Sequence, residues 1–98
     1  MNQKIERLLA GETIISKEPG NSMTPIIKHR QPVEITPATI EDVEVGDVVY
    51  CKVKGYVYTH KVIAKNDTKG CLIGNNHGHN NGWTKQIYGK ITKVLEMK

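Results

Sequence analysis

The stretch VVYCKVKGYVYTHKVIA, residues 48–64, contains two runs rich in β-branched and aromatic residues, separated by Lys54-Gly55. The runs extend from Val48 to Val53 and from Tyr56 to Ala64. A two-residue connection between such runs is typical of an antiparallel β-hairpin. We therefore predict two adjacent antiparallel strands at the centre of the chain.

Further strands and one helix are predicted around this hairpin. Residues 2–10 form a short amphipathic helix that Gly11 ends. Strands are predicted at 13–16, 32–36, 71–73 and 86–95, with a bulge at Gly89, and turns at 18–21, 45–47 and 66–70. The Gly- and Asn-rich run 74–82 is predicted to be a loop. The expected fold is mostly β: a compact antiparallel domain over 1–98, with the helix in 1–11 and the β core in 12–98.

The composition argues against two classes of function, nucleic-acid binding and membrane anchoring. The net charge is +4, but the lysines are spread along the chain and no groove-reading motif is present, so we expect no nucleic-acid partner. No apolar run is long enough to span a bilayer and no basic-apolar leader opens the chain, so we expect a cytoplasmic protein without a membrane anchor. Cys51 and Cys71 are expected to be buried thiols.

The first candidate for chemistry is the turn Gly20-Asn21-Ser22-Met23-Thr24-Pro25. A serine that leaves a strand at such a turn exposes its hydroxyl, and Gly20 lets another backbone approach closely. Backbone N–H groups of the turn can hold a developing oxyanion, and Met23 would anchor the turn in the core. The alternative is that this serine only forms the turn.

The second candidate is the strand Tyr58-Thr59-His60-Lys61-Val62. Alternation along a strand places Tyr58 and His60 on one face and Lys61 on the other, so only one of the two bases can point at a given serine. His acts as a base near its ordinary pKa, whereas Lys does so only when desolvated. The alternative is an edge-strand histidine beside an exposed lysine.

The order of five motifs resembles that of signal peptidases: Ser22-Met23-Thr24-Pro25, Gly46-Asp47-Val48-Val49, His60-Lys61-Val62-Ile63, Gly74-Asn75-Asn76 and Gly89-Lys90-Ile91. The turn at 20–23 is also similar to that of LexA and self-cleaving phage repressors. The resemblance covers residues 13–95. It implies a β-rich fold, a serine nucleophile, a histidine base and a flanking substrate groove, with these residues: catalytic Ser22, His60 and Asn75; oxyanion and groove Gly20, Asn21, Met23 and Tyr58.

One departure from that family leaves two functions open. The family has aspartate where this chain has Asn75, and an amide orients a histidine less well; Asp67 is an alternative partner. The first function is a soluble serine peptidase that cleaves a peptide bond through a Ser-His dyad. The second is a catalytically inactive binding module for a peptide, protein or small ligand, such as a phage accessory or inhibitory protein. Ala10-Gly11 resembles the self-cleavage site of LexA-like proteins.

A metal site is the remaining alternative. His77 and His79, with Cys71 and His60, offer ligand types for zinc, but their spacing is not a standard zinc pattern. We therefore predict no metal and no cofactor. The partner is expected to be a peptide or protein, with the oligomeric state left open.

Overall fold

The hairpin of residues 48–64 lies at the centre of one antiparallel sheet. In the computed structural model, which describes residues 2–18, 20 and 23–96, Val48 pairs with Lys61 and Val53 with Tyr56. Lys54 and Gly55 both have positive φ angles, 51° and 88°. This is the geometry of the two-residue turns that match the twist of a hairpin.

The described part of the chain contains one α-helix, one 3₁₀ helix and seven strands. The bounds are α1 Gln3–Leu9, β1 Ile14–Lys17, β2 Pro32–Pro37, the 3₁₀ helix Ile40–Asp42, β3 Val48–Val53, β4 Tyr56–Asn66, β5 Gly70–Gly74, β6 Asn80–Thr84 and β7 Gln86–Val94. The strands form a single sheet in the order β1-β2-β7-β3-β4-β5-β6, with every neighbouring pair antiparallel. The prediction of a mostly β antiparallel fold with a short N-terminal helix is confirmed.

Strand β6 was not predicted, because three of its five residues lie in the Gly- and Asn-rich run 74–82, which favours a loop. Only residues 75–79 lie between strands; Asn80 and Gly82 of β6 pair with Gly74 and Ile73 of β5, and Asn81 is the extra residue between them. A Cβ atom on Gly82 would lie 3.3 Å from a methyl group of Val53, so this end of β6 packs closely over β3. Tertiary packing and backbone pairing therefore override the low strand propensity of this segment.

Two apolar clusters occupy opposite faces of β3, because Tyr50 belongs to one while Val49 and Cys51 belong to the other. The first cluster consists of Ile5, Leu8, Ile14, Met23, Ile27, Val33, Ile35 and Tyr50. The second consists of Val43, Val49, Cys51, Val53, Val62, Cys71, Ile73 and Ile87. This division matters for the site, because consecutive residues of the neighbouring strand β4 also face different clusters.

Helix α1 covers the first cluster and is fixed at its start by Asn2. The Asn2 side chain accepts hydrogen bonds from the Lys4 and Ile5 backbone N–H groups and donates one to the Tyr50 hydroxyl at 3.0 Å. Strand β7 carries an extra residue opposite β3 at Tyr88, next to the predicted bulge position Gly89. No helix in the described ranges is long and apolar enough to cross a membrane.

Candidate functional site

His60 lies in the middle of β4 on the face of the second cluster. Its side chain is buried, with 8% exposure, and its ring stacks on Tyr58 with centroids 5.0 Å apart and planes inclined by 25°. Tyr58 in turn packs against the second cluster. The alternation that places Tyr58 and His60 on one face thus brings two predicted site residues together.

The ring nitrogen Nδ1 of His60 lies 2.6 Å from Oδ1 of Asn81 on β6. With the amide oxygen as acceptor, Nδ1 carries the proton and donates it to Asn81. The other nitrogen, Nε2, then has the acceptor lone pair that a general base needs. The Asn81 contact therefore selects the tautomer and fixes the plane of the ring.

The surroundings of His60 favour its neutral form. Burial lowers the pKa of His60 below its ordinary value, and the nearby charge of His79 lowers it further. The hydrogen bond with Asn81 raises the pKa but does not offset the burial. His60 is therefore neutral at pH 7, which is the protonation state in which it can accept a proton.

Asn75 has a different role from the one predicted for it. Its side-chain oxygen accepts hydrogen bonds from the His77 and His79 backbone N–H groups, and its own N–H donates to the His79 carbonyl. These bonds close the loop between β5 and β6. The amide that meets His60 is that of Asn81, six residues further along the same Asn-rich segment.

The predicted nucleophile Ser22 and its neighbour Asn21 lie outside the described residues, but the chain on both sides is described. Gly20 has a φ of 95°, and its N–H donates to Nδ1 of His29 at 2.7 Å. Met23 is buried in the first cluster, with 4% exposure. The chain that leads into and out of Ser22 is thus held by a hydrogen bond before it and by apolar burial after it.

Lys61, the neighbour of His60, points to the other face and is tied to the residues that follow Ser22. Its Nζ donates to Oδ1 of Asn76 at 3.0 Å, and Nδ2 of Asn76 donates to the Thr24 carbonyl at 2.9 Å. Oγ1 of Thr24 and Nε2 of His77 lie 3.0 Å apart. Lys61 and Asn76 were expected as parts of motifs, but this connection between them was not predicted.

Glu18 was also missed by the sequence prediction, which placed it in a turn. It accepts hydrogen bonds from Ser16 and from Thr59 at 3.0 Å, and it forms an ion pair with Lys4 at 2.9 Å. Burial raises the pKa of Glu18, but these hydrogen bonds and the Lys4 charge outweigh it and lower the pKa below its ordinary value. Glu18 therefore joins α1, β1 and β4 immediately before the segment that contains Ser22.

The side chains considered for zinc are not gathered at one point. Across the described ranges no group of three metal-ligating side chains is close enough to hold a metal ion. Cys71 is buried in the second cluster with Cys51, where burial raises the pKa of the Cys51 thiol to about 12. Trp83 is 37% exposed, and the Lys69 ammonium lies 5.6 Å from the centroid of its ring.

Comparison with known proteins adds no family assignment to this geometry. No protein-family model matches the chain, and no curated protein matches it.

Proposed function

We propose that this protein is a serine peptidase in which Ser22 is the nucleophile, His60 the general base and Asn81 the residue that orients His60. The observation that supports the proposal is the 2.6 Å contact between His60 and Asn81 in a buried setting. It gives a neutral imidazole of defined tautomer, and a Cys-His-Asn arrangement with an amide in the orienting position serves in other peptidases. Asn81 takes the role that was predicted for Asn75.

In this reaction the Ser22 hydroxyl oxygen bonds to the carbonyl carbon of a peptide while its proton passes to Nε2 of His60. The protonated His60 then gives that proton to the leaving amine nitrogen as the carbon–nitrogen bond breaks. Water then hydrolyses the acyl-enzyme: its oxygen attacks the ester carbon while one of its protons passes to His60, and His60 gives that proton to the Ser22 oxygen as the ester carbon–oxygen bond breaks. The backbone N–H of Ser22 is the oxyanion donor that the resemblance to signal peptidases implies.

An extended peptide is the proposed substrate, because β1 offers an edge that leads to the nucleophile. Strand β1 ends the strand order of the sheet and pairs with β2. Its last residue, Lys17, lies five positions before Ser22. A peptide that adds to the outer edge of β1 by backbone hydrogen bonds would extend along the chain toward Ser22.

A catalytically inactive binding module is the second candidate, and the neutral side chain at position 81 favours it. An imidazolium that forms during catalysis is stabilised by a carboxylate, and Asn81 supplies no charge. Burial of His60 without a counter-charge makes that cation costly. In this second candidate the same edge of β1 holds a peptide, and Ser22 forms no covalent bond.

Labelling with a fluorophosphonate probe tests the peptidase proposal. The chain has two serines, so Ser22→Ala is the test variant and Ser16→Ala the matched control. We expect the wild type and Ser16→Ala to label, and Ser22→Ala and His60→Gln to lose labelling. The wild-type rate should rise with pH to a plateau as His60 loses its proton, with a midpoint below its ordinary pKa.

Two outcomes contradict the proposal. A folded wild type that does not label, or equal labelling of the wild type and Ser22→Ala, removes the nucleophile. In either case the second candidate, a binding module, remains to be tested. If it is right, Ser22→Ala leaves peptide binding unchanged, whereas Tyr58→Ala weakens peptide binding because it removes the ring stacked on His60.

A further inference from the structure

We propose that Asn76 is a positioning residue that fixes the distance between β4, which carries His60, and residues 20–25, the nucleophile turn that contains the proposed nucleophile Ser22. This inference rests on the proposed function, because it gives Asn76 a role in presenting Ser22 to His60. It assigns that role to a single side chain in the loop between β5 and β6.

Both ends of the Asn76 amide are used, and they reach different parts of the chain. Nδ2 donates to the Thr24 carbonyl at 2.9 Å, and Oδ1 accepts from the Lys61 Nζ at 3.0 Å. Thr24 is two residues after Ser22, and Lys61 directly follows His60. The side-chain amide of Asn76 therefore joins the segment that carries Ser22 to the strand that carries His60.

The loop that carries Asn76 is itself braced, so it can act as a fixed support. Asn75 closes the loop through the His77 and His79 backbone N–H groups, and the His77 ring contacts the Thr24 hydroxyl at 3.0 Å. Thr24 is thus held through its carbonyl and its hydroxyl by two neighbouring loop residues. The position of the loop between β5 and β6 therefore fixes the position of Thr24 in the nucleophile turn.

The rate of acyl transfer depends strongly on the distance between the reacting groups. A displacement of about 1 Å between reacting groups can reduce the rate by about 100-fold. Asn76 contacts neither His60 nor a substrate through the bonds described, so it acts through Thr24 and Lys61 and is not a catalytic residue. Its loss should change how often the dyad is aligned and leave the proton affinity of His60 unchanged.

A reporter independent of catalysis lies in the turn after Ser22. The Ile27 backbone N–H donates to the Met23 carbonyl at 2.9 Å, and both side chains are buried in the first cluster. Exchange of this amide with deuterium measures the opening of the turn directly. Amides of β3 in the same sample measure the stability of the sheet.

The experiment compares Asn76→Ala, Asn76→Asp and Lys61→Met with the control Lys65→Met. Lys65 lies on the same strand, β4, and its Nζ donates a hydrogen bond to the Val43 carbonyl. Lys65→Met therefore removes one lysine hydrogen bond, as Lys61→Met does, but that bond does not lead to the nucleophile turn. For Asn76→Ala we expect at least tenfold faster exchange at Ile27, unchanged β3 exchange and about tenfold slower labelling with an unchanged pH midpoint. Asn76→Asp should resemble Asn76→Ala, because a carboxylate cannot donate to a carbonyl. Lys61→Met should change Ile27 exchange and labelling in the same direction, because it removes the other bond of the amide.

The two proposals fail in different ways in this experiment. If Ile27 exchange and labelling stay at wild-type values in Asn76→Ala, or if Asn76→Asp behaves as the wild type, the positioning role is overturned while Ser22 labelling still supports the peptidase. If the wild type does not label, the proposed function is overturned. Faster Ile27 exchange in Asn76→Ala, with Lys65→Met unchanged, then still supports Asn76 as the tie that holds this turn.

Discussion

Replacing Asn81 by aspartate tests the contact on which the candidate site depends. In the wild type, a neutral amide lies 2.6 Å from Nδ1 of His60, and burial holds the pKa of His60 below its ordinary value. An aspartate of nearly the same size would place a negative charge in hydrogen-bonding contact with the ring. The protonated form of His60 then gains a charged partner that it lacks in the wild type.

The size of the effect follows from the difference between a neutral and a charged hydrogen bond. A hydrogen bond to a charged group contributes about 1.5–3 kcal/mol and a neutral one about 0.5–1.5 kcal/mol, so the difference is about 1–1.5 kcal/mol. Since about 1.4 kcal/mol is a factor of ten, the protonation equilibrium of His60 should shift by roughly 5- to 13-fold toward the cation. We therefore expect the pKa of His60 to rise in Asn81→Asp.

The same substitution should reduce the pH dependence of stability that His60 contributes. In the wild type the folded pKa is lowered, so the unfolded chain binds the proton more tightly and stability is lost as pH falls through the ordinary value of 6.5. In Asn81→Asp the folded pKa rises toward the unfolded one, so less stability is lost as pH falls through that range. Urea unfolding at several pH values measures this difference.

Two measurements on matched variants decide the outcome. NMR titration of the ring protons follows His60, with His60→Gln assigning the signal, and fluorophosphonate labelling follows Ser22. In a Ser-His-Asp triad, replacing the aspartate by asparagine costs about 10⁴ in turnover, so we expect labelling of Asn81→Asp to be between tenfold and about 10⁴-fold faster. Asn75→Asp is the control, because its side chain serves the loop backbone instead of His60. An unchanged His60 titration in Asn81→Asp, or an equal shift in Asn75→Asp, would refute the contact.

Three further predictions concern the surroundings of the site and the core. Tyr58→Ala should raise the pKa of His60 toward its ordinary value, because the stacked ring keeps water from it, and NMR titration checks this. Gly89→Ala should lower the free energy of unfolding by about 1–3 kcal/mol in urea titrations, because the added Cβ would lie 2.5 Å from a methyl group of Ile35. Glu18→Gln should remove a loss of stability that the wild type shows as pH falls through the lowered pKa of Glu18, measured by thermal unfolding between pH 3 and 6.

The sheet could be predicted where local pattern and tertiary packing agree. The hairpin of β3 and β4 combines β-branched runs with Lys54-Gly55, and both turn residues adopt the positive φ angles that such a turn requires. Strand β6 could not be predicted from its own residues, because asparagine and glycine favour loops. Its packing over β3 depends on a contact between Gly82 and Val53, which are distant in sequence.

Part of the site could be predicted from the local pattern of β4. Alternation along β4 correctly separates the faces of His60 and Lys61, since Tyr58 stacks on the first and Asn76 binds the second. The choice between Asn75 and Asn81 needs the position of β6 relative to β4, which no local pattern supplies. An Asn-rich segment offers several equivalent amides, and only the fold decides which of them meets the imidazole.

The two candidate functions place different demands on the charge of the side chain at position 81. A binding groove needs His60 only as a buried polar group with a satisfied Nδ1, and Asn81 provides that. A peptidase also needs the protonated ring to be stabilised while the tetrahedral intermediate exists, and a neutral partner in a buried site supplies little of that stabilisation. Asn81→Asp therefore separates the functions: faster labelling of Ser22 means that the dyad is aligned and limited by charge. A raised pKa of His60 without labelling means that Ser22 is not a reactive nucleophile, which removes the peptidase and leaves the binding module as the candidate to test by peptide binding.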